Sequence, residues 1–99
     1  MYIVDLDPAK GAEIKKPRRA VIISPNAMNK HLKTVLIAPL THTLKGYPSR
    51  VPSSFGNQRG EIVLDQVRGI DKSRLKKKLG TLDTATARKV KAVLVTMFS

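Results

Sequence analysis

The chain contains no cysteine. A disulfide scaffold, a cysteine-ligated zinc finger and a thiol nucleophile are therefore excluded. Aromatic residues are scarce, at two Tyr, two Phe and no Trp. That is too few for the stacking platform with which an RNA recognition motif holds bases. Acidic side chains number 7 against 19 Lys+Arg, which leaves a formal net charge of +12. This balance argues against a typical acidic cytosolic enzyme and for a polyanionic partner, either nucleic acid or an acidic protein. Long apolar runs are also missing. The longest, such as residues 20–23 and 35–38, fall far short of the roughly 20 residues that a spanning helix needs. No signal peptide, twin-arginine run or lipidation motif can be read, so the expected location is cytoplasmic, with no membrane partner.

What is present is enough for one packed domain. The 99 residues are 41% hydrophobic and show no repeat, low-complexity tract or linker, so a single domain is expected over residues 1–99. Residues 2–6 read as a strand, and Pro8, Gly11 and Pro17 punctuate a loop after it. Residues 18–24 form a second strand, whose unbroken apolar stretch from Ala20 to Ile23 predicts cover on both faces. A polar connection then runs to about Lys33. Residues 34–38 are a buried strand closed by Pro39, and residues 40–48 a loop. Residues 49–52 read as an edge strand, because proline cannot donate to a ladder, and residues 53–60 as a polar turn region. Residues 61–67 alternate as a strand running on toward Ile70. Residues 71–74 make a single turn, and residues 76–81 a basic edge strand. One helix is clear. Asp83 is its N-cap, and Ala87, Val90, Leu94, Met97 and Phe98 follow at helical spacing beside Val93. Many short strands and one terminal helix predict a mainly β (α+β) fold, a small barrel with the helix over an open side.

Three ordered blocks carry a resemblance to a known family. Asp5-Leu6-Asp7-Pro8 through Gly11 and Glu13, then Arg18 and Ala20 to Pro25, resembles the opening of MazF/PemK-type toxins. Pro39-Leu40-Thr41, ending in Lys45-Gly46-Tyr47-Pro48, is similar to that family's P-x-T loop. Asp65-Gln66-Val67-Arg68-Gly69-Ile70-Asp71 is similar to its third block. Two positions depart. The family usually carries residues before the first strand, often with Gly-Asp, which puts the pairing of strand one at issue. Arg19 stands where the family usually has proline, which removes a fixed φ and adds a charge.

The resemblance implies an SH3-like barrel, CcdB/MazF-like, acting as a homodimer. It also implies a metal-independent, sequence-specific endoribonuclease that cuts single-stranded mRNA and is held inactive by an acidic MazE/PemI-like antitoxin. No cofactor or metal is expected.

Metal-free cleavage by the ribose 2′-hydroxyl needs a base, an acid and a cation at the phosphoryl oxygens. Arg18 is the candidate cation, because a guanidinium forks onto two phosphate oxygens and is a poor base. By itself it reads as a surface arginine at a strand start; the block match promotes it. Thr41 can bind a non-bridging oxygen, although a lone threonine is more often a turn hydroxyl. Glu13, one of two glutamates, could accept a proton or orient Arg18, or be a solvated charge pair. Lys16, Arg19, Lys45, Lys76 and Lys77 are candidate RNA-binding cations. Tyr47 is a candidate for base stacking or a rim residue of the core. His42 adjoins Thr41 but is usually not histidine in the family, and His31 reads as solvated. Asp5 and Asp7 share a strand face, yet Asp7-Pro8 reads better as a turn than as a metal site. Two other readings compete: a non-catalytic nucleic-acid-binding module, and a CcdB-like gyrase poison.

Overall fold

The computed structural model describes residues 1–6, 18–55 and 57–99. Seven strands and two helices follow in the order β1 (Tyr2–Leu6), β2 (Arg18–Ile22), α1 (Asn26–His31), β3 (Thr34–Thr41), β4 (Arg50–Phe55), β5 (Gln58–Val63), β6 (Arg68–Asp71), β7 (Leu75–Thr81) and α2 (Thr84–Met97). Short 3-10 turns at Leu64–Gln66 and Lys72–Arg74 bracket β6. The sheet runs β4-β5-β3-β2-β1-β7, with β6 also on β3, and every pairing is antiparallel. The result is mainly β, a curled antiparallel half-barrel with a C-terminal helix, where the sequence leads one to expect a small barrel with the helix over an open side.

Both faces of the central strands are covered, as the non-alternating run in β2 requires. Val4, Leu6, Ala20, Ile22, Val35, Ile37 and Ile70 pack on one face. Ile3, Val21, Ala38, Val51, Ile62, Leu64 and Val90 pack on the other. The period of two in each strand sorts neighbours such as Val21 and Ile22 between these clusters. β1 pairs with β2 from Tyr2↔Ile22 to Leu6↔Arg18 and with β7 on its other edge. Strand one is therefore fully paired, and the Leu82 N–H to Met1 O bond of 2.9 Å ties its start down.

α2 begins where the sequence places it. Asp83 Oδ2 accepts from Thr86 N at 3.0 Å, and Thr86 Oγ1 donates to Asp83 Oδ1 at 2.6 Å. Val90 is fully buried, with Ala87, Val93 and Leu94 beside it. Phe98 lies past the last helical turn and is 78% exposed, so the apolar stripe outruns the sheet it packs on.

Four segments differ from the sequence expectation. The polar connection after β2 contains α1, which buries no residue of its own. It is held by long-range polar bonds: Ser24 Oγ donates to Asn29 Oδ1 at 2.5 Å and accepts from Leu36 N at 3.1 Å. β3 runs through Pro39 to Thr41 instead of stopping at Ala38. In the stretch expected as a polar turn region, residues 53–55 and 58–60 are paired arms of β4 and β5, from Ser53↔Gly60 to Phe55↔Gln58. The stretch expected as one strand over residues 61–67 is instead the end of β5 and a 3-10 turn.

Candidate nucleic-acid cleavage site

The site arises where β3 changes partner. β3 pairs with β2 at Ile22↔Ile37, Val21↔Ala38 and Ala20↔Pro39. Pro39 has no N–H to give, so the ladder has reason to end there. Beyond it, β3 pairs with β5 at Leu40↔Ile62 and Thr41↔Glu61. The β2–β3 pairing stops at Ala20↔Pro39, two residues short of Arg18 and Thr41. The strands part around that point and leave a groove of about 820 Å³.

Arg18 and Arg19 line the groove from β2, Leu40 to Thr43 line it from β3 and the turn after it, and Ser53, Phe55, Gln58, Arg59 and Gly60 from the hairpin. Arg18 is exposed at the start of β2. Arg19 lies with its guanidinium 5.0 Å from the Phe55 ring centre, and its Nε is 3.9 Å from Asp5 Oδ1. The added charge at position 19 is thus anchored on an aromatic face. Thr41 Oγ1 accepts from Thr43 N at 3.1 Å, which leaves its hydroxyl hydrogen free to donate elsewhere.

Gly60 explains how close β5 comes to Thr41. A Cβ built on Gly60 would lie 2.5 Å from the Thr41 carbonyl oxygen, so only glycine permits this approach.

Lys45, Tyr47, Lys76 and Lys77 are not among the residues that line the groove. Tyr47 stacks on Arg50, 5.0 Å from its guanidinium, and Lys45 Nζ sits 6.0 Å from the same ring. Lys76 and Lys77 are exposed on β7, with Lys77 in register with Asp5. Glu13 and Lys16 fall outside the described residues, as does Asp7. His42, set aside as a bystander, lines the groove next to Thr41, whereas His31 is exposed on α1. Arg59, Gln58 and Phe55 were missed. Arg59 is one of 19 basic residues, and nothing local distinguishes it. Reading residues 53–60 as a hairpin would have brought it in. Among the described residues, no cluster of three His, Cys, Asp or Glu could hold a metal ion. No helix among them is long and apolar enough to cross a membrane.

Comparison with known proteins agrees with this geometry. The family described as PemK-like, MazF-like toxin of type II toxin-antitoxin system matches residues 1–98. An endoribonuclease toxin MazF of Escherichia coli is 37% identical over 90 residues, which is 90% of this chain and 81% of that protein. An endoribonuclease MazF of Staphylococcus saprophyticus is 31% identical over 98 residues, covering 91% and 80% of the two chains. A solved mycobacterial endoribonuclease in complex with its cognate antitoxin superposes with a TM-score of 0.82 at 26% identity, over 98% of this chain and 90% of that one. The match runs from the first strand to the last turn of the terminal helix, and the chain belongs to the PemK/MazF-like toxin family of type II toxin–antitoxin systems.

Proposed function

We propose that this toxin cleaves single-stranded mRNA in the cytoplasm without a metal, and that Arg18 and Thr41 carry the chemistry. The supporting observation is that Arg18 and Thr41, 23 positions apart in sequence, both line one groove together with Arg19 and Arg59. The 2′-oxygen bonds to phosphorus, the bond from phosphorus to the 5′-oxygen breaks, and the 2′-hydroxyl proton leaves to a base. The departing oxygen takes up a proton. Arg18 neutralises charge on the non-bridging oxygens, and Thr41 donates to one of them. Arg59 adds a second cation from the opposite wall. His42, on the same rim, supplies an imidazole able to give or take a proton. Glu13 is proposed as a proton acceptor or as an orienter of Arg18, on the strength of its place five residues before it in a lysine-rich segment.

Arg19, Lys16, Lys45, Tyr47, Lys76 and Lys77 are proposed to extend the RNA track. The same positive field suits an acidic antitoxin, and the active form is proposed to be a homodimer. The relative solved with its cognate antitoxin supports the partner.

The test is incubation of the purified protein with a long transcript in EDTA, followed by end analysis of the products. Discrete cuts that survive chelation and vanish in Arg18→Ala support the proposal. Intact RNA with tight, salt-sensitive binding would assign a binding module instead, and gyrase inhibition with intact RNA would assign a gyrase poison.

A further inference from the structure

Glu61 is a buried carboxylate with no part in the chemistry above. It is 3% exposed and lies on β5 in register with Thr41. A carboxylate out of water needs several donors to hold its charge. Here Lys45 N–H donates to Oε1 at 2.9 Å, Gly46 N–H donates to Oε2 at 3.0 Å, and Arg50 Nη1 stands 3.8 Å from Oε1. Two successive backbone N–H groups on one anion make a nest. Gly46 turns the chain there with φ at +66°. Arg50 is held in turn: its Nε is 3.6 Å from Asp65 Oδ1, Tyr47 covers its face, and its N–H donates to Tyr47 O at 3.0 Å.

The consequence is a closed ring of chain. Thr41 pairs with Glu61 through the backbone, and Lys45 returns to the same residue through its side chain. The segment between them carries Thr41, His42 and Thr43, all lining the groove. It buries nothing of its own, since residues 42–48 are exposed. Apolar packing therefore does not fix the position of that segment, and the carboxylate does.

We infer that Glu61 is a positioning residue for cleavage: it clasps the N–H groups of Lys45 and Gly46 and so fixes the turn that presents Thr41 and His42 to the RNA phosphate. The inference rests on the nuclease reading above. An apolar residue at position 61 would suit the core but leave both N–H groups unpaired and the turn untethered.

Glu61→Gln is the direct test. Its single carbonyl oxygen can accept from one of the two N–H groups, and its amide opposes the other. Three quantities are read: amide hydrogen exchange at Lys45 and Gly46, RNA affinity, and single-turnover cleavage of a long transcript under protein excess. Exchange should accelerate at whichever of the two amides the glutamine leaves unpaired. Affinity should stay within about threefold, because the groove cations are untouched, while the cleavage rate should fall on the order of ten- to a hundredfold. A merely stabilising residue would lower the melting temperature and leave the rate per folded molecule unchanged, and that result overturns the inference. Unchanged exchange overturns it as well.

Gly46→Ala perturbs the same turn independently. No atom lies within 4 Å of its added Cβ, so only the positive φ is strained. It should show the same rate loss at unchanged affinity. Should Glu61→Gln fail to fold, a wild-type rate in Gly46→Ala refutes the inference. A wild-type protein that leaves RNA intact would instead defeat the nuclease reading. The exchange measurement then reports on the clasp separately.

Discussion

Gly60→Ala places one methyl group between β5 and the Thr41 carbonyl. The added Cβ would sit 2.5 Å from that oxygen. Carbon and carbonyl oxygen settle at about 3.3–3.6 Å, so the two strands must part by roughly 1 Å. The obstructing atom is backbone on a paired strand, and no side-chain rotation relieves the contact. The displacement is delivered to Thr41 itself. Misplacement of that size at a reacting group lowers rates by about a hundredfold, and the strain is expected to lower stability by about 1–3 kcal/mol. Gly69→Ala is the matched control, because its Cβ would meet only Leu36 Cδ2 at an ordinary 3.7 Å. The assay is single-turnover RNA cleavage at saturating protein, paired with urea denaturation of each variant. A Gly60→Ala protein that cleaves as fast as Gly69→Ala would refute the placement of Thr41 in the reaction.

The core is tested by Ile37→Ala. This side chain is 0% exposed, and its truncation should cost about 2–5 kcal/mol by urea denaturation; a loss near zero would contradict the packing. Replacing Lys76 and Lys77 by alanine should weaken RNA binding and lower the slope of log affinity against log salt by about 1.4 units, roughly 0.7 for each phosphate contact on a single strand. An unchanged slope would remove β7 from the RNA track. Stability should fall in acid. Glu61 is held below its ordinary 4.5, first by the Lys45 N–H, and Asp71 and Asp83 are held below 3.8 by Ser73 and Thr86 respectively. Each such carboxylate is more acidic folded than unfolded, so its contribution is complete above the unfolded value and is lost as pH falls through the folded one. The melting temperature should therefore decline as pH drops below about 4.5. Asp83→Asn should flatten that decline, and a midpoint constant from pH 5 to 2 would refute the assignment.

Much of this molecule is legible from local chemistry. The Asp83 cap and the spacing of Ala87, Val90 and Leu94 specify α2, because capping and helical periodicity act within a few residues. The apolar runs before Pro25 and Pro39 specify β2 and β3 as strands, although β3 leaves Leu36 exposed where a buried strand is expected. Arg18 and Thr41 are recognisable through the ordered blocks that contain them. The hairpin over residues 53–60 is not legible, because its polar residues carry no period-two apolar signal. α1 is also hidden, since it buries nothing and depends on Ser24, Asn29 and the Lys72 Nζ bond to Asn29 O across 43 residues.

The sequence by itself determined the charge, the absence of thiol chemistry and the terminal helix, and its resemblance to a known family singled out the two residues proposed to react. Only the tertiary structure decided that β3 leaves β2 for β5 at Pro39. That switch opens the groove, sets Arg59 in the same groove lining as Arg18, and turns Glu61 from an unremarked strand glutamate into the tether of the Thr41 turn. The physical reason is range. Caps and periodicity are written in neighbours, whereas a groove between strands and a buried carboxylate's donors depend on register between segments far apart in the chain.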